Sequence, residues 1–129
     1  MSEVKFPLIH GLKVGDDLLK QVILREATAG DVIEAQEESE KLVTVLDKDG
    51  NPEHVFVPSP TMVGVHVLRR QIKALGNMSG PLSLDQVKKL NPEDLNLIQS
   101  KINDMEEAAA KAVEAINTRG RSDQPGESD

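Results

Sequence analysis

The chain contains no cysteine, tryptophan or tyrosine, and its only aromatic residues are Phe6 and Phe56. Without thiols, neither a disulfide nor a thiolate metal site can form, which fits a reducing compartment. Without aromatic platforms there is little for an unpaired base to stack on, and a net charge of -7 repels a phosphate backbone. Nucleic acid is therefore not an expected partner. No apolar run approaches the roughly 18 residues of a membrane span, and Met1-Ser2-Glu3 does not read as a signal peptide. The expectation is an acidic, soluble chain whose 129 residues suffice for one domain with a modest core. That core must be aliphatic.

Catalytic signatures are also missing. There is no G-x-S-x-G, H-E-x-x-H, phosphate loop or dinucleotide fingerprint. His10, His54 and His66 are scattered, with no two spaced to share a helix face. Glu37-Glu38 and Glu106-Glu107 are adjacent on helical stretches, so their side chains diverge. The string from Asp47 to Asn51 resembles the start of a calcium loop, but Pro52 stands where that loop needs Gly and Pro58 where it needs Glu. No catalytic residue, cofactor or metal ligand is expected.

The positive signals are structural, and the densest lie between Ser59 and Ile98. Ser59-Pro60 pairs a cap with a residue suited to a first helical turn. Ser83-Leu84-Asp85-Gln86 is a capping box. Asn91-Pro92-Glu93-Asp94 brings a cap and two carboxylates to one helix start. With the break at 76–81, these predict a helical hairpin with a short bridging helix. Upstream, residues 4–26 carry strand signals around Gly11 and a Gly15-Asp16-Asp17 turn, with Pro7 at an edge or a strand start. Thr28 to Asp31 has cap spacing, and the next helix aligns Val32, Ala35, Ser39 and Leu42. The turn at 47–52 predicts a hairpin between 43–46 and 54–57.

In the helix after Ser59, Met62, Val65, Leu68, Ile72 and Leu75 form an apolar stripe, and Gly64 suggests close approach by a neighbouring backbone. His66, Arg69, Arg70 and Lys73 line another face. They either pair internally with the acidic helix over 31–41 or offer a contact surface to an acidic segment of a partner. The last helix shows Leu95, Ile98, Ile102, Met105, Ala109, Ala112 and Ile116 at alternating gaps of 3 and 4. Its first half belongs to the core. Its alanine-rich second half projects and would gain from a partner helix, so Ile102 and Met105 join the candidate partner-binding residues. The fold class is α+β: a small N-terminal antiparallel hairpin or sheet packed on a mostly helical domain with a long C-terminal helix. Residues 1–117 form one domain (β region 4–26, helical region 29–117), and 118–129 are expected to be a disordered tail.

Three stretches carry a family resemblance: LREATAGDVIEA at 24–35, PSPTMVGVHVLRRQI at 58–72 and GPLSLDQVKKLNPEDLNLI at 80–98. Together they resemble the tail assembly chaperones of Mu-like phages and prophages, grouped with the E-type and 41-type tail chaperones of contractile-tailed phages. The likeness covers roughly residues 6 to 105. It implies a non-catalytic helper of virion morphogenesis in the host bacterial cytoplasm, absent from the mature virion. Such a protein binds helical segments of the tape measure protein and keeps them soluble until the tail tube polymerises. The tail tube protein and a frameshifted longer form are additional implied partners; self-association is expected separately, from weak burial per residue and the exposed seam after Ile98. Among the matched positions, Arg69, Arg70 and Gln71 are the candidate contacts. The competing readings are a small structural or completion subunit retained in the virion, and a small acidic secretion chaperone.

Overall fold

The computed structural model describes residues 2–122, with side chains through 117. β1 (Glu3–Val14) and β2 (Asp17–Arg25) pair antiparallel around the Gly15 turn. Then follow α1 (Ala29–Ser39), the hairpin of β3 (Glu40–Leu46) and β4 (Pro52–Pro58), and α2 (Pro60–Gln71). After these come β5 (Ile72–Leu75), β6 (Met78–Ser79), α3 (Leu84–Lys89) and α4 (Pro92–Ser122). The main sheet has the order β1-β2-β5-β6, which leaves β1 and its Pro7 on an edge, where a missing N–H costs no ladder bond. β3 and β4 form a separate two-stranded sheet.

The expected caps all form. The Thr28 and Ser83 side chains accept the backbone N–H of Asp31 and Gln86, and each N3 side chain answers the cap backbone in return. Ser59 Oγ accepts from Met62, and Asn91 Oδ1 accepts from the Glu93 N–H at 2.9 Å. One face of the main sheet supplies Phe6, Leu8, Leu12, Leu19, Val22 and Leu24 to the core, and the other is largely solvated, as in an antiparallel sheet covered on one side. Leu68, Ile72, Leu75, Leu82, Val87, Ile98 and Ile102 close that core from the remaining elements.

Three expectations are corrected. α2 ends at Gln71, so Ile72 and Leu75 belong to β5, where Leu75 faces Val22 and Ile72 faces Leu24 across the ladder. The helical hairpin is accordingly a helix, a two-stranded return and a second pair of helices. The return is tight, because a Cβ at Gly80 would run into the Ile72 carbonyl. α1 ends at Ser39, which puts Leu42 on β3; Ala35 and Ser39 are buried as expected, but Asp31 rather than Val32 is the inward residue of the first turn. Gly64 has no neighbour within 4 Å of a Cβ placed there, so no close approach explains it. Gly64→Ala should therefore stabilise the chain by about 0.5–1 kcal/mol, read as a higher denaturation midpoint at unchanged slope. α4 runs to Ser122, and most of the tail expected at 118–129, residues 123–129, lies outside the described residues. Among the described residues, no helix is long and apolar enough to cross a membrane.

Candidate partner-binding site

The cationic face of α2 turns inward, onto α1. Arg69 Nη2 donates to Glu38 Oε2 at 2.7 Å, and its Nη1 donates to the Leu82 carbonyl at 3.2 Å. Arg70 pairs with Glu38 and approaches Glu34 at 3.5 Å, while its Nη1 donates to the His66 carbonyl. His66 is buried, and its Nδ1 accepts from Arg69 Nε at 3.0 Å. Burial, then the Arg69 charge, pushes the imidazole below its usual range. The ring is therefore neutral near pH 7, and its 3.4 Å approach to Glu38 is not an ion pair. Gln71, also buried, donates to the Arg25 carbonyl at 3.1 Å. Lys73 reaches Glu3 on β1. Of the candidate contacts, His66, Arg69, Arg70 and Gln71 thus have internal partners, and Lys73 is the most exposed member of the set.

Ile102 and Met105 are buried with Ile98 against the sheet, and Met105 also lines an open groove beside α4. The seam does change where its residues become alanine: every position from 106 to 117 is exposed, including Val113 and Ile116.

Two polar locks hold the frame. Arg25 Nη1 and Nη2 grip Asp31 at 2.7 and 3.0 Å, and the Thr28 N–H adds a third bond at 2.8 Å. The Arg25 guanidinium and the Thr28 amide outweigh burial and hold the Asp31 carboxyl at about 2, from an ordinary 3.8. A depressed carboxylate contributes stability that is complete above the unfolded value and lost as pH falls through the folded one, here about 2 kcal/mol vanishing between roughly pH 4 and 2. The depressed His66 acts with the same sign from about pH 6.5 downward, because the unfolded chain takes up that proton more readily. The melting temperature should therefore fall progressively with acid, and Asp31→Asn should make the part of the fall below pH 4 shallower.

The second lock has no counterpart among the sequence expectations. Asp94, fully buried at the N-terminus of α4, turns away from its own helix and accepts backbone N–H groups from β1. The bonds run from Ile9 at 2.6 Å, His10 at 3.1 Å and Gly11 at 3.0 Å. Those amides are free to point at it because the β1–β2 register breaks between Pro7 and Leu12, with Gly11 at a φ of 85°. The available signal was the acidic pair at the α4 start; its target is backbone, which leaves no trace in residue types.

What remains uncovered is apolar. On the β3–β4 arm, Leu42 sits opposite Phe56, and Leu46 lies on the same face two pleats along. Val45 and Val57 occupy the reverse face. All five are exposed, Phe56 to 68% and Leu46 to 71%. A two-stranded ribbon with apolar residues on both faces buries little by itself, and displayed aliphatic surface of this kind marks an interaction site.

Comparison with known proteins agrees with a role in assembly. The family model described as "Tail assembly protein gp41" matches residues 8–121. A "Mu-like prophage FluMu protein gp41" of Haemophilus influenzae is 38% identical over 120 residues, covering 93% of this chain and 89% of that protein. The "Probable tail assembly protein gp41" of Escherichia phage Mu is 41% identical over 111 residues, covering 83% of this chain and 71% of that one. A "Probable tail assembly protein FS-gp41" of the same phage is 41% identical over 104 residues, 78% of this chain and 53% of that one. No solved structure matches the chain. The family model and both phage Mu relatives are named for tail assembly, and the chain belongs to the gp41 tail assembly protein family of Mu-like phages and prophages.

Proposed function

We propose that this chain is a tail assembly chaperone that binds helical segments of the tape measure protein in the host cytoplasm and releases them as the tail tube polymerises. The observation that carries the reading is the arm. In a chain with two aromatic residues, one is spent on the core and the other is displayed among exposed aliphatics on a ribbon with neither face covered. Such a surface shields the apolar stripe of an amphipathic helix from self-association. The charge of -7 keeps the complex soluble. The tail tube protein, a frameshifted longer form and self-association through the same arm belong to this proposal. Co-expression tests it. A tape measure fragment that is insoluble alone should become soluble beside the chain, and less so beside Phe56→Ser, whose melt should match the parent. A fragment that stays insoluble would contradict the reading.

A further inference from the structure

We propose that the groove between the overhanging half of α4 and the ends of β1 and β2 receives a basic amphipathic helix bearing large aliphatic side chains. This rests on the chaperone reading above, and it adds the place of binding and the charge of the bound segment. The groove has a volume of about 480 Å3, and its floor includes Val4, Met105, Ala109 and Ala112. Among the described residues Met105 is the last buried one of α4, and positions 106–117 run on from this floor exposed.

Shape sets the first requirement. Met105, Ala109, Ala112 and Ile116 repeat at gaps of 4, 3 and 4, the spacing of a seam that receives a second helix. The run spans about 16 Å, or roughly three turns, at 1.5 Å per residue. Its alanines bring little volume, so the occupant must supply the bulk, with Leu- or Met-sized anchors one turn apart.

Charge sets the second. Glu26 and Asp104 stand at the groove, and Glu106 lines the recess that adjoins it. Lys101 is the cation at the groove, and its Nζ lies 5.7 Å from the Phe6 ring centroid, drawn to the aromatic face. The flanks are thus acidic, and Lys or Arg beside the apolar stripe of the occupant would meet them. A second copy of α4 is a poor fit. Over the seam at 104–117 it would bring Asp104, Glu106, Glu107 and Glu114 against Lys111, which its own Glu107 engages at 3.3 Å; its Arg119 and Arg121 come only after the seam ends. The sequence at 123–129, DQPGESD, is acidic and has no large apolar residue to offer.

The test is fluorescence anisotropy of labelled peptides against the full chain. Peptides of about 20 residues, long enough for five turns, are tiled along the tape measure protein encoded with this chain. Two designed helices join them, sharing a leucine stripe but flanked by Lys in one and Glu in the other. The Lys-flanked helix should bind about tenfold tighter or better than the Glu-flanked one at low salt, with the gap narrowing as salt rises. The tape measure peptides that bind should be basic and amphipathic. The double variant Ala109→Glu with Ala112→Glu should lose about tenfold in affinity with an unchanged melt, because both positions are exposed on helix. Asp104→Lys with Glu106→Lys should shift preference toward the Glu-flanked helix. Undiminished binding by the alanine variant, or equal binding of the two designed helices, would overturn the groove assignment and leave the chaperone reading standing. Binding of the Lys-flanked helix but of no tape measure peptide would sink the chaperone reading instead. If the alanine variant dissociates a parental oligomer, the groove is occupied by a second copy and the proposal is wrong.

Discussion

Asp94→Ala should destabilise the chain by about 3 kcal/mol or more, because three backbone N–H groups of β1 lose a charged acceptor that no water can readily replace. The carboxylate is fully buried, and its partners lie more than eighty residues away in sequence. Breaking it detaches the strand that carries Phe6, Leu8 and Leu12 from the helix that carries Ile98 and Ile102. For a chain of this size the loss corresponds to a fall in melting temperature of roughly 10–15 °C. Asp94→Asn keeps one carbonyl acceptor of similar shape and should lose less. Circular dichroism melts of the two variants give the comparison, and a loss below about 1 kcal/mol in Asp94→Ala would show that the lock is dispensable.

Arg70→Glu is the second large effect, and it bears on where the binding surface lies. Were Arg70 an outward contact, the change would weaken partner capture and leave the melt alone. Its guanidinium instead meets Glu38 and Glu34 with its side chain 11% exposed. Reversal places three carboxylates together at the α1–α2 contact. Glu34 and Glu38 are partly solvated, which discounts the penalty to about 2 kcal/mol, or 5–10 °C. A parallel experiment separates stability from binding: Arg70→Glu with Glu38→Arg should recover much of the loss. An unchanged melt in the single variant would restore the outward reading.

These two residues also mark what the sequence could and could not convey. Capping is local chemistry, so Thr28, Ser59, Ser83 and Asn91 announced their helices, and the turn at 47–52 announced the arm. β5 was hidden because Leu68, Ile72 and Leu75 satisfy a helical period; only Val22 and Leu24, some fifty residues upstream, make a strand of it. The inward face of α1 was legible at Ala35 and Ser39 but not in its first turn, where a salt-bridged aspartate, Asp31, takes the place that Val32 would fill by hydropathy alone. The basic residues of α2 were visible as a group, but their direction depends on α1 packing alongside, a tertiary fact. The change in α4 after Met105 was legible from its alanines, whereas the groove beside it needed β1 and β2 in place.

Under the proposed function the chain lends its apolar surfaces during assembly and then departs. The most direct measurement is quantitative mass spectrometry of purified phage particles against the lysate in which they assemble. The chain should be abundant in the lysate, co-purify there with the tape measure protein, and be absent from the particles. A fixed copy number retained in every particle would contradict it and identify the chain as a structural subunit of the tail.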